Sequence, residues 1–274
     1  MVCLPRPLVV YKSLNQVWNA LAFNKDIPEV RGIINLCLDL GIFHKRANNF
    51  EPNTDLLISS VKERDNYVPF PFIVVEGLDG TGKTTMTRFL SNTLHLRLMG
   101  TPPKNYEVFI KARNFFDGQH ESIRRAYYSL GNYLAVHDFI TSKQPAVMDR
   151  FWHSTSAYAV AHQMRSDPES FQKSDLIWPT DLLQPDLVVF LQVSEKERLR
   201  RHSSRKEFTN TKEEQTLAED SKFRMNLVEC YRSVVGPPMT ELIVDGEQPD
   251  SEAKILRTVL TAFPGLNEKL KIKL

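Results

Sequence analysis

Residues 77–85 read GLDGTGKTT, after the apolar run Phe72–Val75 and before Met86-Thr87-Arg88-Phe89-Leu90. Gly77, Gly82, Lys83 and Thr84 fill every fixed position of the phosphate-loop pattern G-x-x-x-x-G-K-[ST]. A β-rich run before and a helical run after place the loop at a helix N-terminus. There, unpaired backbone N–H groups and the positive end of the dipole face an anion. The glycines let the backbone curl around phosphates without Cβ clashes. Lys83 is placed to neutralise β/γ-phosphate oxygens, and the Thr84 hydroxyl to bind Mg²⁺. A turn that only links strand to helix needs the glycines but has no use for Lys83 and Thr84 together.

Outward from the loop, the pattern alternates strand and helix. Strand-like runs are Phe72–Glu76, Leu94–Met99, Ala146–Asp149, Leu187–Val193 and Leu242–Asp245. Several are continuous apolar runs, as expected of strands buried on both faces. Between them, Ile123, Tyr127, Leu130, Leu134 and Ile140 recur near the helical period over 121–140. The expected fold is α/β, a P-loop NTPase fold with a five-stranded parallel sheet flanked by helices. Ligands of such sheets bind outside the strands' C-terminal ends. Asp149 closes one of these runs, where it can hold Mg²⁺ through water, and Arg150 beside it can reach an anion. The plainer reading has Asp149 capping the next helix and Arg150 in solvent. No N-K-x-D base-reading motif of the GTPases is present.

Three regions are expected: a short, mainly helical N-terminal appendage (1–69), a phosphate-loop domain (70–264) and a tail (265–274). In the appendage, Leu14–Phe23 and Val30–Phe43 have apolar residues at helical spacing, and the segment carries no recognisable chemistry. A net charge of +2 over 274 residues gives the whole surface no pull toward nucleic acid or membrane. No apolar run approaches the ~20 residues that span a bilayer. Cys3, Cys37 and Cys230 are odd in number and scattered, which favours small apolar residues in a reducing compartment over a disulfide framework. The first 25 residues carry Arg6, Lys12 and Lys25 and no acid, compatible with a transit peptide, although Pro5 and Pro7 interrupt an early helix.

GLDGTGKTT, DRFWHS and the basic segment after PDLVVFLQVS resemble the thymidylate kinase family of nucleoside monophosphate kinases over about residues 70–264. RRAYYSLGNY, MDRFWHSTSAYA and WPTDLLQPDLVVFLQVS resemble its mitochondrial UMP–CMP kinase branch. The resemblance implies ATP as donor, Mg²⁺ as the essential ion and a pyrimidine nucleoside monophosphate as acceptor. It assigns ATP to Gly77, Leu78, Asp79, Gly80, Thr81, Gly82, Lys83, Thr84 and Thr85. It assigns Mg²⁺ to Thr84 and Asp149, and the acceptor to Asp79, Arg113, Tyr128, Asn132 and Arg150. Tyr128 would stack on the base; Tyr127 reads as core. Asn132 stands where the family's F-S-x-N-R pattern has a thymine-reading Arg. A carboxamide both donates and accepts, so it suits uracil or cytosine.

Arg198, Arg201 and Arg205 correspond to the lid over ATP, and Arg201 and Arg205 are the expected cations for the transferring group, or alternatively for adenine. A solvated helix end with cations complementing the dipole is the competing reading. Lys83, Arg150, Arg201 and Arg205 are thus the expected catalytic set. The expected partners are ATP and a pyrimidine nucleoside monophosphate, with no nucleic acid and no membrane span; homodimerisation is left open. The expected location is mitochondrial, with the cytoplasm as the alternative. Two other functions stay open: a deoxynucleoside kinase using Glu76 as an acidic base, and a non-catalytic nucleotide-binding protein.

Overall fold

The structure is a computed structural model that describes residues 10–46, 49–53, 70–203, 217 and 219–266. Strand β3 (Phe72–Gly77) runs through the middle of a parallel five-stranded sheet. The other strands are β4 (Arg97–Gly100), β5 (Ala146–Asp149), β6 (Leu187–Gln192) and β7 (Met239–Ile243), in the order β4-β5-β3-β6-β7. The expected five-stranded parallel sheet flanked by helices is borne out.

The continuous apolar runs conceal a strict alternation. Phe72 and Val74 join the larger core on one face, while Ile73 and Val75 join the second core on the other. Val188 and Phe190 separate from Val189 and Leu191 in the same way. Both faces are covered, so both sets are apolar. Helices α3 (Lys83–Leu94) and α9 (Gln248–Ala262) cover the second core. Helices α4 (Glu107–Asp117), α5 (Glu121–Ser142), α6 (Trp152–Ser166) and α8 (Ser221–Arg232) cover the first. A short α7 (Glu195–Ser203) follows β6.

Two strand boundaries differ from expectation. Leu94 closes α3, because His95 adopts the left-handed conformation at its C-cap, and β4 starts only at Arg97. The last strand is Met239–Ile243, and Val244 turns down into the second core instead of extending it.

The N-terminal segment forms α1 (Leu14–Ala22) and α2 (Pro28–Asp39), capped by the Ser13 hydroxyl and by Pro28 at N1 respectively. Gly41, at φ 72°, ends the second apolar run early. Its last residues enter an antiparallel hairpin of β1 (Phe43–Arg46) and β2 (Asn49–Pro52), which periodicity had not suggested. Leu14, Val17, Trp18 and Leu21 on α1 pack toward α5, and Val30, Ile33, Ile34 and Cys37 on α2 toward α4. These side chains belong to the same core as Phe72 and Tyr127. Buried Asp181 ties the regions together, accepting from the Leu14 N–H (2.8 Å) and the Tyr133 hydroxyl (2.7 Å). Asp181→Ala strands two buried donors. We expect it to cost about 3 kcal/mol and lower Tm by about 5–10 °C. An unshifted thermal transition would contradict this anchor.

Cys37 and Cys230 are buried free thiols, as small apolar residues should be, and burial pushes the Cys230 thiol up to about 12. Cys3 lies outside the described residues. Among the described residues no helix is long and apolar enough to cross a membrane.

Candidate active site

Strand parity aims the acidic groups. Asp149 shares a β5 face with Val147, the face toward α3, and its Oδ2 accepts the Thr84 hydroxyl at 2.6 Å. Glu76 follows Phe72 and Val74 on the opposite face and is completely buried there. Its Oε1 accepts the Phe151 and Ser154 N–H groups (2.8 and 3.2 Å). Its Oε2 accepts the Ser154 hydroxyl at 2.6 Å and the Tyr231 hydroxyl at 3.4 Å. Burial raises the Glu76 carboxyl above its ordinary range, against these donors and nearby Arg150.

The loop takes the shape its glycines allow. Gly77, Gly80 and Gly82 have φ of 146°, 90° and 92°. A Cβ at Gly77 would lie 2.7 Å from the Leu191 carbonyl oxygen, so only glycine fits. The Thr81 hydroxyl and the Lys83 ammonium both donate to the Leu78 carbonyl at 2.8 Å, curling the loop inward. Lys83 is buried, and Asp79 lies 3.7 Å from its Nζ. Burial, then the Arg150 charge, lowers the Lys83 ammonium to about 8, with Asp79, Asp149 and Glu76 opposing.

Arg150 sits at φ 66°, a conformation that bulky residues seldom adopt. Its N–H is held by the Val75 carbonyl (3.1 Å), and its carbonyl accepts the Thr101 hydroxyl (3.1 Å). This turn swings the guanidinium back across the loop, onto Asp79 Oδ1 and Ser154 Oγ (3.1 Å). The Tyr158 ring lies 5.6 Å from the guanidinium carbon, and its hydroxyl contacts Asp79 Oδ2 at 3.5 Å.

Two cavities meet at this point. One of about 760 Å³ is lined by Lys83, Thr84, Thr85, Arg88 and Asp149, among others. A second of about 720 Å³ is lined by Tyr128, Arg124, Arg125, Ser154, Thr155 and Tyr158, among others. Asp79, Thr84, Thr101, Pro102, Arg113 and Arg150 belong to both walls. Asp117 binds Arg113 at 3.4 Å and the Tyr128 hydroxyl at 2.6 Å, which fixes both on the second cavity.

The structure therefore brings together Asp79, Lys83, Thr84, Arg113, Tyr128, Asp149 and Arg150. Tyr127 is core, stacked on Phe109 and Phe116. Asn132 does not line either cavity. It is buried one layer deeper, with Nδ2 donating to the Thr155 hydroxyl at 3.1 Å. Arg201 donates to the carbonyls of Thr81 (3.1 Å) and Val244 (2.5 Å) and pairs with Glu197 at 2.6 Å. In this arrangement its guanidinium ties the loop backbone at Thr81 to the segment after β7. Buried Arg198 packs on Gly80, where its Cγ lies 3.4 Å from the place a Cβ would occupy. Arg205 lies outside the described residues.

Sequence reading missed Asp117, Thr155 and Tyr158. Only Tyr158 had a legible signal, as an aromatic on the helix that follows Arg150. Trp152 and His153 pack in the core near Trp178, and burial lowers the His153 imidazole to about 3.

Fold and loop together are those of the P-loop class of α/β proteins. The chain belongs to the thymidylate kinase family, whose profile, described as thymidylate kinase, matches residues 75–254. The resemblance carried by the motif residues is thus borne out. The chain is similar to human UMP-CMP kinase 2, mitochondrial, at 36% identity over 197 residues, covering 70% of this chain and 42% of the human protein. It therefore spans less than half the length of that relative. A thymidylate kinase of Leptospira borgpetersenii is 27% identical over 192 residues, covering 66% of this chain and 88% of that protein. Among solved structures, a thymidylate kinase from Candida albicans shares the fold with a TM-score of 0.53 and 19% identity, covering 72% of this chain and 93% of its own.

Proposed function

We propose that this protein is an ATP-dependent kinase of pyrimidine nucleoside monophosphates, taking UMP, CMP, their deoxy forms or dTMP to the diphosphates. The observation that carries this is the shared wall. Lys83, Thr84 and Asp149 line the cavity on one side of Arg150, while a guanidinium-rich cavity of about 720 Å³ opens on the other. That is what in-line transfer between two anions requires: both held, aligned and screened. The acceptor phosphate oxygen bonds to the γ-phosphorus as the bond to the departing ADP oxygen breaks. Lys83 screens the transferring group, and Arg150 and Arg113 hold the acceptor, where a planar fork suits phosphate. Asp79, fixed by Arg150 and Tyr158, is left to face the acceptor's sugar.

Thr84 and Asp149, in contact at the loop, are an oxygen pair suited to Mg²⁺ once phosphate oxygens and water complete its shell. When bound, the ion would neutralise charge on the β- and γ-phosphates. Glu76 supports this reading over a deoxynucleoside kinase. A base for a 5′-hydroxyl must reach the cavity, and Glu76 is completely buried among donors from Phe151, Ser154 and Tyr231. The intact set of Lys83, Thr84 and Asp149 likewise favours catalysis over a purely binding role. A mitochondrial location follows the human relative's name, and fractionation of cells making the chain would test it.

The test is ADP release with UMP, CMP, dUMP, dCMP and dTMP as acceptors. Turnover of none of them, with turnover of a free nucleoside, would replace the proposal with the nucleoside kinase.

A pH effect follows from Lys83. Its ammonium, lowered to about 8, is charged below that pH and neutral above it. ATP binding to the free protein therefore requires proton uptake above pH 8 and weakens as pH rises. Titrating ATP between pH 7 and 9.5 should show this weakening. Lys83→Arg, charged throughout, should flatten the curve. An equally sloped curve for both would assign the effect elsewhere.

A further inference from the structure

Asn132 and Thr155 form a pair whose hydrogen bonding is not settled by the protein. Asn132 is fully buried on α5. Its Nδ2 donates to Thr155 Oγ1 at 3.1 Å, and its Oδ1 has no partner among the described residues. Thr155, one helical turn after Phe151 on α6, lines the acceptor cavity. Its hydroxyl accepts from Asn132, which leaves its own hydrogen to be donated toward the cavity that Thr155 lines.

Turning the carboxamide by half a revolution exchanges Oδ1 and Nδ2. The Thr155 O–H then donates to Asn132, its lone pairs face the cavity, and Nδ2 becomes the unpaired atom. Each arrangement makes one hydrogen bond and leaves one buried polar atom unpaired, so the protein itself favours neither strongly. Whatever enters the cavity decides.

We infer that the Asn132–Thr155 pair is a reversible reader of the pyrimidine 4-position, presenting a donor to uracil O4 and an acceptor to the cytosine 4-amino group. Thr155 touches the base, and Asn132 is a positioning residue that lets the hydroxyl take either polarity. This deepens and rests on the proposed pyrimidine monophosphate acceptor. It also revises the sequence-based role of Asn132: the carboxamide reads the base through Thr155, one layer removed. Tyr128, on the same cavity wall, gives the base an aromatic face, and Arg150 and Arg113 set the distance from the phosphate.

The experiment compares binding and kcat/KM for UMP, CMP and the ribonucleotide of 2-pyrimidinone, which lacks any 4-substituent. Wild type should prefer both natural nucleotides to that analogue by about tenfold, the worth of one hydrogen bond. Thr155→Val should remove the preference for both and leave the analogue unchanged, and Thr155→Ser should keep it. Asn132→Leu keeps the branching and number of side-chain heavy atoms and offers no partner for the hydroxyl. With no partner to fix its polarity, the Thr155 hydroxyl should lose part of the preference for both nucleotides over the analogue, and an unchanged preference would overturn the role of Asn132 in the pair. Pyrimidine monophosphates bound equally well by wild type and Thr155→Val would overturn the reader and leave the kinase proposal intact. Failure of wild type to bind or phosphorylate any of them would overturn both.

Discussion

Lys83→Ala is expected to lower kcat by about 10³-fold or more, with a much smaller effect on acceptor KM. The ammonium is held inside the loop by the Leu78 carbonyl at 2.8 Å and is almost wholly shielded from water. In such a site a charge acts on the transferring group with little screening and no reorganisation at the moment of reaction. Alanine also removes a buried cation near Asp79, Asp149 and Glu76, so the local negative charge then opposes an incoming phosphate. Lys83→Arg keeps the charge but places a broad fork in a space shaped for a point charge, and should recover only part of the rate. Single-turnover kinetics with saturating ATP would check this. A loss below tenfold would mean that Lys83 is not facing the transferring group.

Arg150→Ala is expected to reduce kcat/KM for the acceptor by about 10²–10³-fold while leaving ATP affinity within a few-fold. The guanidinium has several tasks at once: it fixes Asp79, bonds Ser154, stacks over Tyr158 and closes the acceptor cavity. Ser154 connects it to Glu76 and Tyr231 through hydrogen bonds of 2.6 and 2.8 Å, so its aim is set from the core. Arg150→Lys should stay close to the alanine value, because one ammonium cannot serve Asp79, Ser154 and a phosphate in a planar fork. The check is acceptor KM and kcat at saturating ATP, beside a direct ATP titration. Equal losses of ATP and acceptor binding would show a general collapse of the loop instead.

The two expected losses separate the site into halves, and the sequence was not equally informative about them. The donor half was legible because it is local. Gly77, Gly82, Lys83 and Thr84 lie within eight consecutive residues, and the strand and helix that present them adjoin the loop. The parallel sheet was legible for a similar reason: both faces are covered, so its strands stand out as apolar runs. Boundaries were less so. His95 ends α3 by adopting a left-handed backbone, and nothing in its residue type announces that. The hairpin Phe43–Pro52 was hidden by the helical spacing of the residues before it.

The acceptor half depends on residues far apart in the chain. Asp117 meets Arg113 one turn back on its own helix, but reaches the Tyr128 hydroxyl only because α4 and α5 fold against each other. Arg201 was expected at the transferring group on charge and position. In the fold it meets the carbonyls of Thr81 and Val244, 120 and 43 residues away. Asn132 was placed at the base by alignment, whereas the rotation of α5 turns it inward and leaves Thr155 of α6 at the wall.

By itself, the sequence determined the phosphate cradle, the class of sheet and the identity of the charged groups on either side of it. These follow from short-range constraints: glycine's conformational freedom, helix dipoles and burial on two faces. Only the tertiary structure decided which side chain reaches which cavity, because a helix's rotation about its axis is fixed by the packing of its whole apolar face. The same packing, with α1 and α2 laid on α5 and α4, made the N-terminal segment part of the larger core.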